Sequence, residues 1–279
     1  MGQSGSRSVV STKATAAGRW IGGHLVALLV IVYLAFLVDL GIGLSLAGAP
    51  AAVRVLTGEA FVAAVALGLV ALIGWWREAG LTSVLRQPWW LLLLAGFLLV
   101  RYLLSLPLLI GHARWTLLPI VVPFVLLIGF AEETFFRGLV MWSLRLRGPL
   151  LVGGLSAFLF GCAHFTNLLG GQPLPNTIAQ VISVSFFGVF LAAMRWRMHS
   201  LWPLVATHAL YLFPVFITPL PPPPPLTTLQ FLVIVIVPNL PFALIGAGVL
   251  AYDQFKARRG LDTVPAAPTS PHTSPASDS

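Results

Sequence analysis

The stretch VVPFVLLIGFAEETFFRGLVMW, residues 121–142, places Glu132, Glu133 and Arg137 inside an apolar run long enough to cross a bilayer. A charged side chain near the bilayer centre costs at least about 2.5 to 3.5 kcal/mol on insertion scales, so each must face a partner or a polar cavity. The length of the run bears on the fold, and the three charges within it bear on the chemistry.

Composition supports reading the run as a membrane span. Apolar residues make up 58% of the 279, charged residues only 9%, and the mean hydropathy is +0.93, whereas soluble domains carry about 25% charged residues. Eight stretches approach the ~20 helical residues that cross the hydrocarbon: 21–44, 58–76, 89–110, 116–142, 149–168, 177–195, 200–218 and 229–252. The pattern predicts an all-α, polytopic membrane helical bundle of about eight transmembrane helices.

Basic residues alternate between the connections. Arg7, Lys13 and Arg19 precede the first span, Arg77 and Arg86 follow the second, and Arg145 and Arg147 follow the fourth. Arg195 and Arg197 follow the sixth, and Lys256, Arg258 and Arg259 the eighth, while the other connections hold only Arg54 and Arg114. By the positive-inside rule both termini are expected in the cytoplasm, in a multi-pass protein of a plasma membrane, bacterial in type. The formal charge of +8 is then that of loops facing anionic headgroups. No basic stripe with interleaved aromatics points to nucleic acid. The first span is too long for a removable signal peptide, and its flank has no small-residue cleavage site. The single Cys162 excludes an internal disulfide framework and reads as a small core residue.

The chain divides into a cytoplasmic N-terminal segment, 1–20, a membrane-embedded helical domain, 21–255, and a tail, 256–279, that is basic and then rich in Pro, Ser and Thr. The tail is too polar to bury a core and is expected to be disordered. WWREAGLTSVLRQPWW, 75–90, reads as an interfacial elbow with tryptophans at headgroup level. PLPPPPPL, 219–226, reads as a stiff polyproline connection.

Helical spacing separates the polar residues of the fourth span. Glu133 and Arg137 are four apart with the acid N-terminal, the favourable order for an intrahelical pair. Glu132 points about 100° away and has no local partner. His164 and His208 lie at similar depth on the fifth and seventh spans, and Phe160 shares the His164 face. One carboxylate and two imidazoles from three helices therefore converge in outline as a catalytic or metal site. Asp39 and Arg101 read as a pair between the first and third spans or as the lining of an access path, and His199 as interfacial.

EETFFR at 132–137, FGCAH at 160–164 and HALYL at 208–212, in that order on successive apolar segments, resemble the EExxxR, FxxxH and HxxxN/D motifs of the CPBP family of intramembrane proteases. This family includes CAAX prenyl endopeptidases and bacteriocin-processing or immunity proteins. The resemblance covers about 116–215, including GVFLAAMRWRMHSLWPLVATHA, 188–209. It implies proteolysis of membrane-associated peptides or protein C-termini by water that Glu132 activates with His164, while His208 donates to the oxyanion. The alternative chemistry implied is metal-dependent, with Glu132, His164 and His208 as ligands of Zn²⁺. Glu133 and Arg137 then support Glu132, and Phe160 walls the cavity.

Leu212 departs from the pattern, since the family has Asn or Asp there. Asn167 or Tyr211 is the expected replacement donor; otherwise the chain is a weak or inactive relative acting as an immunity or scaffold protein. A serine mechanism at Ser156, in GLSA at 154–157, is disfavoured by its separation from His164, about 12 Å along one helix.

Overall fold

A computed structural model describes residues 25–218 and 227–259. The described residues form eight helices and no strand: α1 Leu25–Ser45, α2 Ala51–Ile73, α3 Pro88–His112, α4 Trp115–Ser143, α5 Pro149–Leu168, α6 Leu174–Met198, α7 Trp202–Ile217 and α8 over 228–258. The all-α expectation is met. Helices α1 to α6 are long and apolar enough to span a bilayer, and α7, at 16 residues, is a shorter apolar helix. Large apolar side chains point outward, among them Leu92 at 75% and Ile110 at 79% exposure, which suits acyl chains rather than water. The chain is an integral membrane protein. The segment 1–20, the polyproline connection and most of the tail lie outside the described residues.

The second helix begins at Ala51, directly after Pro50, and not at 58. Arg54 and Glu59 lower the hydropathy of its first turns without interrupting the helix. It ends at Gly74, whose left-handed φ of 76° turns the chain into the elbow.

Helix α4 is the axis of the bundle. It packs along α2 and α7, with α1 against α2 and α3 against α7, while α5, α6 and α8 pack on one another. The two groups meet around Thr134–Val140, a π-helical stretch of α4 whose side chains are all buried. Phe36 of α1 lies against Phe135 and Phe136 there, with ring centroids 6.0 and 6.4 Å away.

The elbow corrects the sequence reading. Trp76 and Trp89 are 40% and 54% exposed, but Trp75 and Trp90 are buried. Arg195, expected to face headgroups, is buried instead; Nη1 donates to His199 O at 2.6 Å and Nη2 to Glu78 O at 2.9 Å. Gly80 makes this possible, because its φ is 90° and a Cβ there would stand 2.8 Å from Arg195 Nη2. Arg197 pairs with Asp253 of α8 at 2.6 Å. Two of the loop cations thus tie α6 to its neighbours.

Candidate functional site

The site grows from the place where α4 changes geometry. Its α-helical part ends at Glu133, and the π-helical stretch begins at Thr134. Such wide turns recur at functional sites because they redirect side chains that a regular helix would spread evenly. The expected pair is present: Arg137 Nη1 donates to Glu133 Oε1 at 2.9 Å, with both side chains fully buried.

One expectation changes here. Glu133 Oε1 lies 2.8 Å from His208 Nδ1 as well as accepting from Arg137, so Glu133 serves more than the local pair. Glu132, without a partner on its own helix, has Oε2 3.3 Å from His208 Nε2 of α7 and its side chain 13% exposed. The angle between adjacent helical residues did not keep them apart, because an imidazole presents nitrogens at two edges and one ring fits between both acids. A ring nitrogen 2.8 Å from a carboxylate oxygen donates, so His208 Nδ1–H donates to Glu133 and leaves Nε2 on the side of Glu132.

Close approach of α4 and α7 makes this contact possible. A Cβ on Gly129 would lie 2.9 Å from Val205 O and 3.5 Å from His208 Cβ. Only a residue without a side chain lets α7 come near enough, one turn before the acids.

Helix α5 supplies the second imidazole. Its α-helical part ends at Ala163, and His164 opens a 3₁₀ turn. His164 Nδ1 lies 3.1 Å from Phe160 O; a carbonyl can only accept, so Nδ1 carries the proton and Nε2 presents a lone pair. The Phe160 ring joins the parts. Its centroid is 5.1 Å from the His164 ring and 5.8 Å from that of His208, both edge-on, and Arg137 Cζ sits 4.3 Å over it. Phe187 of α6 closes the other side of His208 at 5.4 Å.

Of the two expected substitute donors, Asn167 is engaged elsewhere. Asn167 Nδ2 donates to Gln180 at 2.8 Å, and the Tyr211 ring stacks on Phe187 at 4.4 Å. Leu212 packs with the apolar cluster of Val121, Val125, Ala209 and Ile217. Ser156 is buried and donates to Phe136 O within the π-helical stretch at 2.9 Å, a structural role. Cys162 is partly exposed. Among the ion pairs of the described residues, none joins Asp39 to Arg101; the Asp39 carboxylate lies against Gly58 of α2.

One acid escaped the sequence reading. Glu59 interacts electrostatically with both Asp39 and Glu132. It lay beside the boundary placed at 58, and the signal that would have found it is an acid about two turns into an apolar helix.

The described residues hold no group of three or more His, Cys, Asp or Glu side chains disposed to bind a metal. His164, with Nδ1 on a carbonyl, presents Nε2 as a metal-ligating imidazole does. Both nitrogens of His208 face carboxylates, so in this arrangement His208 does not complete a three-residue zinc site with Glu132 and His164.

The bundle and its buried polar cluster define an integral membrane protein with two imidazoles and two carboxylates gathered around α4. Residues 114–213 match the model of the family described as type II CAAX prenyl endopeptidase Rce1-like. That stretch contains all three motifs, and over it the resemblance to the CPBP intramembrane proteases is shown. No curated protein and no solved structure matches the chain.

Proposed function

We propose that the chain is an intramembrane endopeptidase that hydrolyses membrane-associated peptides or CAAX-like protein C-termini, from a bacterial-type plasma membrane with both termini cytoplasmic. The observation that carries the reading is His208 held between Glu132 and Glu133, with the open nitrogen of His164 across Phe160.

With His208 Nε2 protonated, Glu132 is a carboxylate able to act as general base. It takes one proton from a water whose oxygen attacks the scissile carbonyl carbon, while His164 Nε2 accepts from the other water hydrogen. Protonated Glu132 no longer draws on His208 Nε2–H, which turns to the oxyanion. Glu133 holds Nδ1–H and stabilises the imidazolium throughout, as a buried carboxylate does for a catalytic histidine. Collapse breaks the C–N bond, and the Glu132 proton passes to the leaving nitrogen, giving an acid and an amine.

Leu212 favours a second reading, a weak or inactive relative acting as an immunity or scaffold protein, because it leaves the oxyanion with one donor. The test is a peptide library incubated with the purified protein in detergent, comparing wild type with Glu132→Gln and adding a zinc chelator to a third sample. Cleavage by wild type and by the chelated sample, but not by Glu132→Gln, is expected. Cleavage by all three, or by none, refutes the proposal, and loss of cleavage with chelator alone refutes the metal-free mechanism.

A further inference from the structure

Arg101 is a charge that the cluster around α4 leaves unused. It stands near the middle of α3, and its neighbours Leu99, Leu103 and Leu104 are exposed on the outer face while Arg101 is partly buried. Its guanidinium Cζ lies 4.7 Å over the Tyr211 ring of α7. Nε is buried without a hydrogen-bond partner, and no ion pair among the described residues includes Arg101. Tyr211 in turn stacks on Phe187 at 4.4 Å, and the Phe187 ring meets His208 edge-on at 5.4 Å. Tyr102 OH donates to Leu210 O at 3.1 Å and pins α3 to α7 beside this stack. The guanidinium therefore stands two aromatic rings away from the imidazole.

We propose that Arg101 receives a carboxylate of the bound peptide, either its C-terminal α-carboxylate or an acidic side chain, a few residues from the bond held at Glu132 and His208. The inference rests on the peptidase reading and adds a substrate feature to it. A cation at this depth calls for a counter-anion, and the planar guanidinium fork matches a carboxylate with two parallel hydrogen bonds. Depth favours a peptide over a lipid as its source. Arg101 lies roughly 16 to 20 Å from either end of α3 at 1.5 Å per residue, whereas headgroup phosphates sit at the membrane surface. An extended peptide covers about 3.4 Å per residue, so a few residues reach from the scissile bond past Phe187 and Tyr211 to Arg101.

The probes are short hydrophobic peptides with an N-terminal fluorophore, made as free acids and as C-terminal amides, each with Glu or Gln at one internal position. Binding to detergent-purified full-length Glu132→Gln protein is read by fluorescence polarisation, so no turnover intrudes. One carboxylate-bearing series is expected to bind about tenfold tighter or more than its neutral counterpart. Preference for free acids identifies the C-terminus, and preference for internal Glu identifies a side chain. Adding Arg101→Met should abolish the preference, and Arg101→Lys should retain part of it. Equal binding of charged and neutral peptides overturns the proposal, as does no binding by any series or a preference that survives Arg101→Met. Should Arg101→Met fail to fold, the wild-type Arg101 comparison and Arg101→Lys decide. Carboxylate preference without cleavage by wild type refutes the peptidase reading alone, and cleavage without preference refutes the role of Arg101 alone.

Discussion

At the scale of single residues, the two adjacent glutamates do different work although both face His208. Glu133 is fully buried against Arg137, also fully buried, so removing either strands a charge, at a cost on the order of 3 to 5 kcal/mol. Glu132 is slightly open and has no cation of its own on α4. Glu133→Gln and Arg137→Ala should therefore lower the unfolding temperature in detergent markedly, whereas Glu132→Gln should unfold near wild type and lose turnover by about 10² or more. Equal destabilisation by all three would contradict this division. Leu212 is the second test position. A well-aligned oxyanion donor contributes about 2.7 to 4 kcal/mol, part of it offset by placing an amide in the apolar seam with Val121 and Val125. Leu212→Asn should raise turnover and slightly lower stability, and a fall in turnover of the folded variant would mean that another group already serves the oxyanion.

At the scale of elements, the decisive contact is α4 against α7. Gly129→Ala puts a methyl 2.9 Å from the Val205 carbonyl, a backbone atom that cannot rotate away, so the helices must separate. The expected result is at least a tenfold loss of turnover in a protein that still purifies as a folded species by size-exclusion chromatography. Ser156→Ala gives the contrasting outcome. It removes the 2.9 Å bond to Phe136 O, worth about 1 kcal/mol, and should leave most activity in a steady-state assay. Complete loss in folded Ser156→Ala would restore the serine mechanism to consideration.

At the scale of the whole molecule, the elbow and the α6–α7 connection form one clamp around Arg195, with Arg86 N–H donating to Met198 O and Trp202 Nε1 to Leu81 O. His199 sits in this clamp with φ of 60°. Burial first, then the nearby Arg195 and Arg86, push its pKa down from 6.5 to about 4. Its folded value lies below its unfolded one, so it is neutral in both states well above pH 6.5 and contributes nothing there. Between about pH 6.5 and 4 the unfolded chain takes up a proton that the folded chain resists, and stability falls as pH falls. Thermal unfolding in detergent at pH 7 and 5 should show this loss for wild type. His199→Asn, which tolerates the left-handed backbone, should show less of it, and an equal loss would place the sensitivity elsewhere.

The membrane class, the helix count and the three motif residues Glu132, His164 and His208 were legible in the chain alone. Hydropathy runs, helical spacing and motif order are properties of neighbours in sequence, and a bilayer makes apolar length a direct measure of a span. The Glu133–Arg137 pair was legible for the same reason, being local to one helix. What tertiary structure decided lies between helices: the second partner of Glu133, the contact of Glu132 with His208, the carbonyl contacts that hold Arg195, the inward turn of Trp75 and Trp90, and the place of Arg101 over Tyr211. These depend on where Gly129 lets α7 approach and on a π-helical stretch that departs from 3.6 residues per turn. Helical periodicity cannot foresee either, because both are set by the packing of elements distant in the chain.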